Sequence, residues 1–361
     1  MCPGQTSRWI SADERNQHTC GAGRWRCVAG MSKFSVALTT VRALFRPGRR
    51  PIWALWAAEN VKVLAYELAR QRLEAARQER DPAQAAPCNE KSLTSMVCAS
   101  SHWKSEWLPY WAGQMGLQPA LHRKIWEFAF IAQALGERGM LGAGRSGLGF
   151  GCGNEPLASV FAARECSVLA TDLSTSDARA QNWACGQQHA DSMKSIWVPS
   201  LCSEEMAARN LEFMPVDMND IPAQLSGRFD FCWSACALEH LGSIENGLRF
   251  IRESVRCLKP GGIAVHTTEL NLDEGRTLDN NPTVLFHASH FERLASVLHS
   301  EGVRLAPLAR DPEDPFLDSY VDTPPYPDPG SVGATLSMLH LRLMVASFRT
   351  TSVGLILTKS A

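Results

Sequence analysis

The apolar positions of this chain follow two rhythms. From residue 148 onward, short apolar runs recur between polar or glycine-rich breaks: Leu148 to Phe150, Val168 to Ala170, Leu211 to Met214, Phe229 to Trp233, Ile263 to Val265 and Ser352 to Thr358. Runs of this length bounded by turn residues read as buried strands. Leu248, Ile251, Val255 and Leu258 instead recur at helical spacing, and Lys259-Pro260-Gly261-Gly262 ends that helix before the next strand. A further helix is expected from Phe291 to His299. Upstream the helical rhythm dominates. Ile52 to about Arg80 predicts a long helix with Trp56, Val63, Leu64, Leu68 and Leu73 on one broad side, broken by Asp81-Pro82. Leu121 to Leu135 predicts a second, with Trp126 and Phe130 one turn apart. Strands alternating with helices make this an α/β chain.

The connection after the first strand carries the candidate chemistry. Gly149, Gly151 and Gly153 surround a turn between Leu148 and Pro156, and the following strand ends in Asp172-Leu173. Glycines let backbone approach a bound nucleoside, and a carboxylate at a strand tip can accept hydrogen bonds from both ribose hydroxyls. A dinucleotide would need a third glycine and an anion-binding helix end. Here Asn154, Glu155 and Pro156 follow instead, and Glu155 opposes a pyrophosphate. S-adenosylmethionine has no phosphate and carries a sulfonium cation, which tolerates a nearby carboxylate.

Further pieces follow in order: Asp217-Met218 after the third strand, Phe229-Asp230 opening the fourth, Leu238-Glu239-His240-Leu241 after it, and Leu258-Lys259-Pro260-Gly261-Gly262. Together with the glycine turn and Asp172 they resemble the class I S-adenosylmethionine-dependent methyltransferases over roughly Leu148 to Thr358. The resemblance implies a Rossmann-like, seven-stranded, mostly parallel sheet with an N-terminal helical extension. It implies S-adenosylmethionine as cofactor, with Gly149, Gly151 and Gly153 shaping the pocket, Asp172 and Leu173 at the ribose, and Asp217 and Met218 at the adenine. Ser234 and Ala235 would lie near the methionine moiety, and Glu239 and His240 would be the proton acceptor and its neighbour. Family members usually carry an acid two residues before the first turn glycine and a glycine four residues after it; here those positions hold Gly149 and Glu155. Glu155 reads equally as a relocated cofactor carboxylate and as an acid favoured by a helix N-terminus.

The family also places a helix over the pocket ahead of the first strand, where His122, Arg123 and Trp126 stand. Trp126 is expected in a core aromatic stripe, with a ligand-facing role as the alternative. Ser174 to Asn210 reads as an insertion containing Gln188 and His189, Asn271 to Gly275 as a substrate-side loop, and the proline-rich stretches at 311–315 and 324–329 as a lid loop.

Composition narrows the partners. With 361 residues, 45% of them hydrophobic, the chain can bury a full core, and a net charge of -1 gives no basic field for nucleic acid. The expected acceptor is therefore a small molecule or a sugar-containing precursor. Twelve scattered cysteines fit reduced thiols in a cytoplasm, no transmembrane run is present, and no metal site is expected, His18, Cys20 and Cys27 forming only a loose cluster. A basic stretch from Arg8 to Arg50 allows weak peripheral membrane contact. The expected division is a disordered tail over 1–30, upstream of a functional start at Met31, a helical extension and lid over 31–138, and the methyltransferase domain over 139–361. The alternatives are a noncatalytic binding protein of the same fold and a nicotinamide-dependent oxidoreductase.

Overall fold

The computed structural model describes residues 52–78, 93–117, 120–180, 189–311, 314–324, 326 and 339–361. The chain opens with helix α1 (Ile52–Gln78), then strand β1 (Ser95–Val97), α2 (Trp107–Gln114), β2 (Leu121–His122) and α3 (Arg123–Gly136). Next come β3 (Ser146–Phe150), α4 (Leu157–Ala162), β4 (Ser167–Asp172), two short helices, α5 (Met193–Ile196) and α6 (Glu204–Asn210), and β5 (Leu211–Pro215). After β6 (Phe229–Ala235) follow α7 (Ile244–Arg256), β7 (Leu258–Asn271) and α8 (Ala288–Ser300). The C-terminal part is made of strands: β8 (Val303–Leu305), β9 (Leu308–Ala309), β10 (Val321–Asp322), β11 (Leu339–His340), β12 (Arg342–Val345) and β13 (Phe348–Lys359).

Five parallel strands run in the order β5-β4-β3-β6-β7, and β13 pairs antiparallel beside β7 along Ile263–Asn271. With β8 on the far edge of β13 these number seven, as the resemblance implies, although β8 matches none of the apolar runs read from the sequence. They belong to a sheet of eleven. The outer edge of β13 is long enough to take three short partners in succession: β12 at Phe348–Thr350, β1 at Val353–Gly354 and β8 at Leu357–Lys359.

Side-chain alternation divides the core between the two faces. Leu148, Phe150 and Cys232 pack with Phe250, Ile251 and Val255 of α7, while Phe231 and Trp233 pack with Phe161 of α4 and Trp126 and Phe130 of α3. Phe130 lies so close on β13 that a Cβ at Gly354 would stand 2.2 Å from its ring. Helix α3 is thus a layer of the core, and Trp126 is fully buried, stacked on Phe130 and His102 and donating Nε1–H to His102 Nδ1 at 2.7 Å.

Helix α1 departs from its expected orientation. Of the five residues on the predicted apolar side only Leu73 is buried; Trp56, Val63, Leu64 and Leu68 are exposed. The inward face is Lys62, Ala65, Tyr66, Ala69 and Leu73. Buried Asp322 draws the two polar residues in: Lys62 Nζ lies 3.2 Å and the Tyr66 hydroxyl 3.2 Å from its carboxylate, which also takes His340 at 2.8 Å. The described part of the proline-rich segment is fastened as well. Asp311 meets His102, Asp314 meets Arg72, and Asp318 accepts from Ser100 through both backbone and hydroxyl. Gln188, the 18/20/27 cluster and the basic stretch to Arg50 lie outside the described residues.

Candidate active site

The site is built at the carboxyl ends of β3, β4, β6 and β7, the side on which open α/β sheets bind ligands. Gly151 and Gly153 adopt φ of 58° and 50°, conformations that glycine takes without strain. A Cβ on Gly151 would sit 2.8 Å from Ala237 and 3.2 Å from the Met218 sulfur, so the turn leaves backbone bare where three strand ends converge. Asp172, at the tip of β4, accepts from Gly153 N at 3.1 Å, Leu173 N at 2.7 Å and Ala190 N at 3.0 Å. Its burial raises the carboxyl above its ordinary range, and these amides work against that rise. Asp217 is more open: it accepts from Asn219 N at 2.8 Å and pairs with Arg179 at 2.6 Å.

Gly149 faces the core. A Cβ there would meet Cys152 Sγ and the Trp233 ring, each at 2.4 Å, so Trp233 fills the space an acid would need. The same indole donates Nε1–H to Glu155 at 2.6 Å. Glu155 is therefore a buried carboxyl held by β6 rather than a residue presented at a helix end, and burial pushes its pKa up to about 8. Lys124, Asp172 and Glu127 also act on it, the lysine opposing the rise.

Beside it α3 delivers a dense ion cluster. Arg123 reaches Glu127 at 3.0 Å and Glu269, near the end of β7, at 2.6 Å; Lys124 lies 3.2 Å from Glu127. Glu239 is fully buried and accepts from the Thr268 hydroxyl at 2.9 Å. Cys236, in the positive-φ position after β6, Glu239 and Glu269 bring their donor atoms within 4.8 Å of one another. The Arg123 guanidinium is already the cation of that group, 3.7 Å from the Cys236 sulfur, whose thiol burial holds well above its ordinary pKa. Glu127, Glu239 and Glu269 thus gather beside Arg123 and Lys124.

The remaining expected residues are spread around this centre. Leu173 directs its carbonyl to His189 Nε2 at 2.6 Å, and half-buried Ala235 ends β6. His240 Nδ1 lies 3.1 Å from the Pro282 carbonyl and 3.2 Å from Thr283, on the loop after β7. Ser234 points to the α7 face, where its hydroxyl meets His266 Nδ1 at 2.8 Å and Ser254 meets Nε2 at 2.9 Å. Ser254 gives its own proton to the Ile251 carbonyl, so Nε2 is the donor and His266 is neutral, its pKa lowered to about 3 by burial. Trp233, Glu127 and Glu269 escaped the sequence reading. The one local signal was the spacing of Arg123 and Glu127, four apart on a helix.

Fold and site define a doubly wound α/β protein with a glycine turn after β3. Residues 148–266 match the family model described as a methyltransferase domain, and with the strand order this makes the chain a bearer of a class I methyltransferase domain. No curated protein matches by sequence. Similar solved structures include the [4+2]-cyclase SpnF, at 17% identity and a TM-score of 0.41 over 74% of this chain and 99% of that one. A Burkholderia thailandensis 1,6-didemethyltoxoflavin-N1-methyltransferase is 14% identical, TM-score 0.37, over 67% and 80% of the two chains. A Haemonchus contortus phosphoethanolamine N-methyltransferase 2 is 14% identical, TM-score 0.39, over 65% and 53%. These likenesses are weak, and the class rests on the family match and the strand order.

Proposed function

We propose that the chain moves a methyl group from S-adenosylmethionine to a small-molecule or sugar-containing acceptor in the cytoplasm. The observation that carries this reading is buried Glu155 and half-buried Asp172 around a glycine turn with no third glycine. A pyrophosphate would sit beside Asp172 and a buried carboxyl, neither of them a cation to pair with it, whereas a sulfonium favours the ionised form of both groups. The seven described free cysteines are all buried, which suits a reducing compartment, and no described helix is long and apolar enough to cross a membrane.

The residues divide by task. Gly151 and Gly153 admit the nucleoside to the backbone, Asp172 and Leu173 border the ribose, and Asp217 and Met218 border the adenine. Glu155, with Trp233 fixing it, faces the methionine end, and Ala235 closes the pocket floor. When bound, the cofactor supplies an electrophilic methyl on sulfur. Arg123 and Glu269 orient the acceptor, α3 excludes water, and Glu239 receives the acceptor's proton, with His240 next to it holding the 282–283 loop. The geometric requirement is an acceptor atom held ~3–3.5 Å from the methyl carbon in line with the bond that breaks.

Calorimetry with S-adenosylmethionine and with NAD tests the reading. Binding of the first alone is expected, and Asp172→Asn should weaken it tenfold or more through charge-assisted bonds of about 1.5–3 kcal/mol each. Tight NAD binding with no response to the methyl donor would overturn it. Donor binding with no turnover across acceptor panels would favour the noncatalytic alternative.

A further inference from the structure

Among the described residues, five of the seven large exposed hydrophobics sit on one helix: Trp56, Val61, Val63, Leu64 and Leu68 of α1. Three of them, Val61, Leu64 and Leu68, fall on one line. Ala57, Val61, Leu64, Leu68, Gln71 and Ala75 recur at alternating steps of four and three, and all are exposed. Val61 is 56%, Leu64 70% and Leu68 36% exposed. This is a heptad seam with Val61, Leu68 and Ala75 at a, and Ala57, Leu64 and Gln71 at d. It lies well around the helix from the face bearing Lys62, Ala65, Tyr66, Ala69 and Leu73, which is already buried against the body. The helix is about 40 Å long at 1.5 Å per residue, so the seam is presented on a rod fixed from behind by the Lys62–Asp322 ion pair.

We propose that the seam is the interface with the α1 helix of a second copy of this chain, packed in parallel. The flanking charges choose this occupant. Glu67 falls at g and Arg72 at e, and in a parallel pair g of one helix faces e five residues on in the other, so Glu67 meets Arg72 of the second copy twice by symmetry. Both side chains are at the surface, 47% and 44% exposed, where they now pair within their own chain with Arg70 and Asp314. A valine at a with a leucine at d favours two strands. An anionic lipid surface fits less well, because among the described side chains of α1 exposed Glu59, Glu67 and Glu74 outnumber exposed Arg70 and Arg72.

Sedimentation equilibrium on the full chain is expected to give a dimer. Leu64→Glu, at a position too exposed to matter for folding, should yield a monomer with an unchanged circular dichroism spectrum. Glu67→Arg and Arg72→Glu should each weaken self-association at least tenfold, since like charges then face across the seam. Mixing the two variants should restore a dimer, because each contact again joins opposite charges. A wild-type monomer overturns the proposal, whether or not it binds anionic vesicles. So does a dimer that survives Leu64→Glu, or a mixture that stays monomeric.

Discussion

Gly149 shows how one residue's meaning depends on a partner far along the chain. In family terms it is a missing acid; in the structure it is the space that the Trp233 indole occupies, and the indole in turn holds Glu155. Restoring an acid with Gly149→Asp should therefore destabilise the protein, since a Cβ at 2.4 Å from two neighbours overpacks the core by about 1–3 kcal/mol or more. Adding Trp233→Val should recover part of the loss, a non-additivity that denaturant melts of the singles and the double would reveal. Equal, additive losses would separate the two positions. Glu155 supplies a second prediction. Its folded pKa of about 8 lies above its ordinary 4.5, so the folded state holds a proton that the unfolded state releases. Stability from this group is present below pH 4.5 and falls as pH rises from there to about 8. Glu155→Gln should flatten that part of the pH–stability curve, which thermal melts from pH 5 to 9 would show. A bound sulfonium favours the ionised form, so wild-type binding near pH 7 should release a proton and the variant's should not. Titrations in buffers of different ionisation heat read this directly. The glycine turn and Asp172 were legible in the sequence because their contacts are local or follow one helix. The Trp233–Glu155 bond spans 78 positions and leaves no periodic trace.

At the scale of elements, strands were easier to read than faces. Six of the seven core strands were visible because each is an apolar run bounded by turns, and α7 because its apolar spacing is clean; β8, three residues long, has no such run. The long helix α1 misled, since apolar residues exist on two of its sides and the buried side is chosen by Asp322, more than 250 positions away. Three-residue β1 had no signal of its own; it exists because β13 offers an edge at Val353–Gly354. For α3 the prediction concerns its charges. Arg123→Ala would leave Glu127 and Glu269 buried without their shared cation, and breaking a buried pair in this way costs about 3–5 kcal/mol. Urea unfolding should show a loss of that order with an unchanged slope. A loss under 1 kcal/mol would mean that Lys124 alone neutralises the cluster.

For the molecule as a whole, the question is how much of the chain before β3 the methyltransferase domain requires, and truncation answers it in steps. Residues 1–30 are polar and lack apolar periodicity, so a chain starting at Met31 should keep its melting temperature and cofactor affinity. A chain starting at Leu93 loses α1 and with it Lys62 and Tyr66, leaving Asp322 with His340. Its melting temperature should fall by several degrees, while cofactor affinity holds because Gly151, Glu155 and Asp172 touch nothing in α1. A chain starting at Gly139 is a different object. It lacks β1, α2 and α3, and uncovers Phe161, Phe231, Trp233 and the Gly354 side of β13, an apolar face that Trp126 and Phe130 otherwise seal. Such a fragment should be insoluble or fail to bind the cofactor. A soluble, cofactor-binding fragment from Gly139 would show that the layer contributed by α3 is dispensable. Solubility assays and calorimetry on the three truncations, run side by side, would thus place the boundary of the functional unit between Gln78 and Gly139.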